Sequence, residues 1–269
     1  MSSEKGEFTF ATCQAHNTVP VSKAICGYLS ATIKFPVRFI EDLPWQHAYH
    51  GILTGTVDMG WICGWPYTQL VDKGEASISL LAAPVMAGIR YQNRPIYFSD
   101  VIVRNDSPYH HFSDLRGAAW AYNEPGSQSG YHITRYFLSQ MGEGRNYFGR
   151  VLESGAHMHS IEMVLDGEVD ASAIDSTVLE WEFEKNPSLA KQIRILEVLG
   201  PSPSPPIVIS TLMPKMHARS LRKAISMINQ SPEGYLALDA GKISRLEIVN
   251  DMAYDPIRYM SAKSAGITL

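Results

Sequence analysis

The chain has 269 residues, 45% of them apolar and 19% charged, with a formal net charge of −4. That length can bury a full core, as one large α/β domain or as two lobes. A near-neutral chain without a basic tail argues against general nucleic-acid binding, and no stretch reaches the roughly 20 apolar residues of a membrane span.

The start, Met1 to Glu7, runs straight into a strand-like Phe8–Thr12 with no secretory pattern, so the expected compartment is the cytoplasm unless a leader has been removed. Cys13, Cys26 and Cys63 are odd in number and lack metal-ligand spacing, so neither a disulfide framework nor a metal site is expected. Cys26 sits in a helical apolar pattern and reads as core.

After the first strand come a helix (Val19 to Ile33), a strand (Val37 to Ile40), a helix (Trp45 to Leu53), a strand (Met59 to Cys63), a helix (Pro66 to Val71) and a strand (Ser77 to Val85). Alternation of this kind predicts α/β layers around a mostly parallel sheet. Pro95 to Val103 is a further strand, ending at the polar run Arg104 to Pro108.

A second series follows: strand Ala118 to Tyr122, helix Gly130 to Met141, strand near Val151 to Glu153, helix Ser160 to Leu165, strand Ala171 to Asp175, helix Thr177 to Glu184 and strand Ile193 to Leu199. The proline-rich Gly200 to Pro206 reads as a stiff, extended crossing. Ile207 to Ile209 can then rejoin the first sheet, followed by helices Pro214 to Ile228 and Pro232 to Asp239.

The two series align without gaps. Ile52 to Ile62, with Gly55, Val57 and Asp58, lies over Val164 to Ile174, with Gly167, Val169 and Asp170. The same offset places Trp45 on His157, His47 on His159, Cys63 on Asp175 and Gly64 on Ser176. Internal duplication predicts two lobes of like topology, with ligands bound where strands end and helices begin. The expected lobes are 1–104 with 206–269, and 105–205, with a ligand cleft between them.

The stretch from Asn123 to Tyr131 stands out chemically. A buried strand runs into Pro125-Gly126-Ser127-Gln128-Ser129-Gly130 and then a helix. Free N–H groups at a helix start, two hydroxyls and close-approach glycines make an anion cradle. A nucleophile elbow would need Ser where Gln128 stands, and a phosphate loop would need a Lys that is absent. A purely structural reading has Ser127 or Ser129 capping the helix.

These features together resemble the phosphonate, phosphite and phosphate solute-binding proteins of ABC transporters, a family with the two-lobed type II periplasmic-binding fold. Those that carry the likeness are Gly55-Thr56-Val57-Asp58 and Gly64, Tyr97 before Val101-Ile102-Val103, Asp114-Leu115-Arg116-Gly117, Ser127-Gln128-Ser129-Gly130, Gly155-Ala156-His157 with Ser160, and Val169-Asp170 leading to Asp175.

The resemblance implies an oxyanion held by Ser127, Ser129 and the N–H groups of the turn through Gly130, with His157 facing it and Tyr97 reaching over from the first lobe. Trp45 stands where the family has a cleft-lining Tyr, and Gln128 where many members have Thr. Asp175 falls near the acid that receives the ammonium of aminoalkyl phosphonates. It further implies a periplasmic protein without cofactor or catalytic residues, expected as a monomer, that hands a small oxyanion to a permease. Two alternatives stay open: a ligand-sensing subunit serving a sensor kinase, and a hydrolase built from Ser127 or Ser129, His157 and Asp175.

Overall fold

The computed structural model describes residues 6–74 and 77–269. Residues Met1–Lys5, the start of the segment read above for a secretory pattern, lie outside that range. The chain divides into two compact units: everything up to Ile96 with Ser204–Tyr254, and Tyr97–Pro203 with Asp255–Leu269.

The first unit is built from β1 (Phe8–Thr12), α1 (Val19–Ile33), β2 (Val37–Phe39), α2 (Trp45–Thr54), β3 (Met59–Trp61), α3 (Gly64–Lys73), β4 (Ile78–Met86), β10 (Ile207–Ser210), α8 (Lys215–Met227), α9 (Pro232–Asp239) and β11 (Ile243–Glu247). Its sheet has the order β11-β4-β10-β3-β1-β2. The half made by β2, β1 and β3 is parallel, as helical crossovers require, and β10 enters antiparallel between β3 and β4. Phe10, Ile25, Leu29, Ile52, Met59 and Leu81 are fully buried and form its core. Asp58, almost wholly buried, accepts from the Thr9 N–H and hydroxyl, both at 2.9 Å, and so ties the end of the Gly55 turn to β1.

The second unit holds β5 (Ile96–Arg104), β6 (Ala119–Tyr122), α4 (Ile133–Gln140), β7 (Arg150–Glu153), α5 (His157–Leu165), β8 (Ala171–Asp175), α6 (Ser176–Lys185), α7 (Leu189–Gln192), β9 (Ile193–Pro203) and α10 (Asp255–Lys263). Its sheet has the order β7-β6-β8-β5-β9, with β6 parallel to β7 and β8 and β5 antiparallel to β8. Trp120 stacks on Phe148 with ring centroids 4.5 Å apart, and Phe112 meets both rings in a buried aromatic cluster.

The expected boundaries shift for reasons of strand pairing. β5 was placed with the first lobe, but Ser99 to Val103 pair with Asp175 to Ala171 of β8, so the chain passes between units at Ile96/Tyr97. The proline-rich run is the second crossing, as expected: β9 stays extended through Pro203 and the chain returns to the first unit at Ser204. The C-terminal helix α10 belongs to the second unit, where Ile257 and Met260 are buried and Arg135 of α4 donates to the Ser264 and Ile267 carbonyls.

The internal duplication is visible in each unit's own frame. Gly55 and Gly167 both adopt φ of 73°, in the left-handed region that favours glycine, at the turn after α2 and α5. Asp170 repeats the part of Asp58, accepting from the Ala119 N–H at 2.7 Å. Trp45 and His157 are the first residues of α2 and α5, and Cys63 and Asp175 are the N-caps of α3 and α6.

Candidate functional site

In the second unit, β6, β7 and β8 run parallel, so their C-terminal ends share one edge of the sheet. The antiparallel β5 begins at that same edge. Thus Asn123 to Gly130 after β6, Ser154 to His157 after β7, Asp175 at the end of β8 and Tyr97 at the start of β5 lie along one border.

Ser127 is the N-cap of a wide, π-helical first turn, Gln128–His132, that leads into α4. Its Oγ accepts from the Gly130 N–H at 3.0 Å, and its carbonyl accepts from the Tyr131 and His132 N–H groups. The Ser127 hydroxyl proton is thereby directed away from Gly130. Ser129 Oγ lies 3.5 Å from Ser127 Oγ and 3.2 Å from His157 Nε2. All three side chains are buried, so the two serines and the histidine form one continuous polar row.

Burial pushes the His157 imidazole down to about 4, which keeps it neutral at ordinary pH. Its Nδ1 is buried without a hydrogen-bond partner. A buried N–H without an acceptor is the rarer outcome, which assigns the proton to Nε2 and makes His157 the donor to Ser129. Each serine oxygen then already receives a proton from the protein, and the only partner within reach of either hydroxyl hydrogen among the bonds described is the other serine, at 3.5 Å.

The other expected residues fall into different surroundings. The Gln128 side chain, fully buried, turns away from this row: its Nε2 donates to Ser202 Oγ of β9 at 3.2 Å and approaches Met260 Sδ of α10 at 3.3 Å. Only its backbone remains at the turn. Asp175 caps its own helix, with Oδ1 accepting from the Thr177 N–H at 2.8 Å and the Thr177 hydroxyl at 2.7 Å. Burial raises its carboxyl to about 6 against those bonds. Tyr97, expected on the first lobe, belongs to the second unit and is buried at the start of β5. Trp45 belongs to the first unit, where it is 43% exposed at the start of α2.

Two residues at this border escaped the sequence reading. Glu124, held up at about 7 by burial and then by Glu153, is the second residue after β6. Asn123 is 9% exposed, with a buried Oδ1 lacking any partner. Both stood within the stretch singled out, but a sequence does not show which side chains a turn leaves unsatisfied. Among the described residues no group of three or more His, Cys, Asp or Glu could hold a metal, and no helix is long and apolar enough to cross a membrane.

Two α/β units, each with binding-type helix starts along a sheet edge, define the fold class of solute-binding proteins. A binding-protein component of an ABC phosphonate transporter from Pseudomonas aeruginosa is similar at a TM-score of 0.83 and 18% identity, over 97% of this chain and 87% of that one. PhnD1 from Prochlorococcus marinus, solved in complex with methylphosphonate, gives 0.82 and 18% over 97% and 99%. The aliphatic sulphonate binding protein SsuA from Escherichia coli gives 0.60 and 13% over 97% and 86%. At such identities these likenesses speak for the fold.

The family follows from the sequence pattern, which matches over residues 14–254: the chain belongs to the family of ABC-transporter phosphonate periplasmic substrate-binding proteins. It is therefore a transporter component that takes a small ligand and works with a permease, and not an enzyme.

Proposed function

We propose that the chain captures a small phosphorus oxyanion, a phosphonate, phosphite or phosphate, at the row formed by Ser127, Ser129 and His157, for delivery to a permease. The observation that carries this reading is the direction of the donors. Gly130 N–H donates to Ser127 and His157 Nε2 lies on Ser129, and the two hydroxyls meet each other only at 3.5 Å, a long contact that a ligand can replace, so that both hydroxyl hydrogens turn to its tetrahedral oxygens. The start of the turn adds N–H groups and the positive end of the helix dipole. Neutral donors hold an anion without a fixed counter-charge, which suits reversible capture.

Asp175 is already engaged as a helix cap, which favours a ligand without an ammonium group over an aminoalkyl phosphonate. The partner we assign is a permease in place of a sensor kinase, in keeping with the transporter family, and we assign a monomer, to be checked by light scattering during gel filtration.

A thermal-shift and calorimetric panel of phosphate, phosphite, methylphosphonate, 2-aminoethylphosphonate, sulfate and simple carboxylates tests the reading. A ligand present at a hundred times its Kd adds about 2.7 kcal/mol to the native state, which a melting curve resolves. Stabilisation by a phosphorus oxyanion alone is the expected result. Silence across the phosphorus compounds, or stabilisation by carboxylates alone, would remove it.

A further inference from the structure

Asn123 is the last residue before the cradle turn and is nine-tenths buried. Its Oδ1 has no hydrogen-bond partner, and no described residue bonds the rest of its amide. The side chain lies against Gly130: a Cβ built on that glycine would collide with Oδ1 and come within 2.9 Å of Cγ. The carbonyl oxygen therefore faces the Gly130 Cα–H, a weak contact. Meanwhile the Gly130 N–H is the donor that orients Ser127.

A buried amide carbonyl without a partner has given up its water for nothing in return, so this side chain stabilises the ligand-free fold poorly. Its position beside the residue that orients the cradle gives it another use. We infer that Asn123 is a further ligand-binding residue of this site, with its Nδ2 hydrogens donated to an oxygen of the anion while Oδ1 rests on Gly130. The inference depends on the oxyanion reading proposed above. It adds an amide to the two hydroxyls as a neutral side-chain donor to the anion.

Calorimetry with methylphosphonate and phosphate, on the wild type, Asn123→Ala and Asn123→Asp, tests it. With Asn123→Ala the Kd should rise about tenfold, the scale of a hydrogen bond to a charged group. The ligand-free melting temperature should stay level or increase, because no protein hydrogen bond is lost. Asn123→Asp, of the same shape, should bind far more weakly at pH 8 and recover in part near pH 5.

A folded Asn123→Ala protein with wild-type Kd would overturn the inference. So would a clear drop in melting temperature with affinity unchanged, which would make the side chain part of the framework. If the wild type itself ignored both ligands, the oxyanion reading would fall first and this inference with it; a wild type that binds beside an unaffected variant removes Asn123 alone.

Discussion

His157 Nε2 lies 3.2 Å from Ser129 Oγ, and the ring's other nitrogen is buried without a partner. The imidazole thus works through the serine, by filling its acceptor side. Replacing it with Ala should weaken oxyanion binding by at least an order of magnitude, because Ser129 then loses the donor that turns its hydroxyl hydrogen toward the charged ligand. His157→Gln, which supplies an N–H of similar reach, should recover much of that loss. Since burial holds the ligand-free ring down to about 4, the ratio of wild-type to His157→Gln affinity, in which the ligand's own titration cancels, should stay constant between pH 5.5 and pH 8; calorimetry of the wild type and both variants across that range reads both effects.

Gly130 is held to glycine by its neighbour. Gly130→Ala should abolish cradle binding and reduce stability by about 1–3 kcal/mol, the usual range for overpacking. The clash is with the Asn123 side chain. The double variant Asn123→Ala with Gly130→Ala should therefore regain most of the stability in urea denaturation, and a double variant as unstable as the single one would refute the contact.

Asp175 contributes a pH dependence of defined sign. Its carboxyl is raised from 3.8 to about 6 in the folded protein, so the native state keeps a proton that the unfolded chain releases between those values. The stability linked to that proton is complete below the unfolded value and is lost as pH rises through about 6. Asp175→Asn never ionises and can still cap α6. It should gain on the wild type as pH rises from 4 to 7, by roughly 2 kcal/mol, and match it near pH 4. Urea titrations at the two pH values measure the difference.

The twin aspartates bind strands to turns. Asp58 accepts twice from Thr9, and Asp170 once from the Ala119 N–H. Asp58→Ala and Asp170→Ala should each destabilise by roughly 1.5–3 kcal/mol, the scale of hydrogen bonds to charged groups, and the better buried Asp58 should cost more. Chemical denaturation of each variant gives the comparison.

Much of this was legible before any coordinates. Apolar alternation located β1 through β8 to within a few residues, because each strand is a short apolar run closed by a polar turn. The gapless match of Ile52–Ile62 with Val164–Ile174 anticipated the paired turns and helix starts, since both copies meet the same backbone demand at Gly55 and Gly167. Pairing was not legible. Nothing in Ile96–Arg104 says that it joins β8, so Tyr97 was given to the wrong unit. The Gln128 amide finds its partners 74 and 132 residues away, which no local pattern records. The helix α10 carries only a short signal, Ile257, Met260 and Ser264 spaced to share one face, beyond the last segment with a strong helical pattern.

The paired turns carry an evolutionary consequence. The turn residues Gly55 and Gly167, Val57 and Val169, and Asp58 and Asp170 are shared, while the residue at the helix start differs: indole at Trp45, imidazole at His157, thiol at Cys63, carboxylate at Asp175. What builds the copies and what they can recognise are encoded by separate letters. Recognition can therefore drift at the helix starts, one position at a time, without any intermediate having to relearn how to fold.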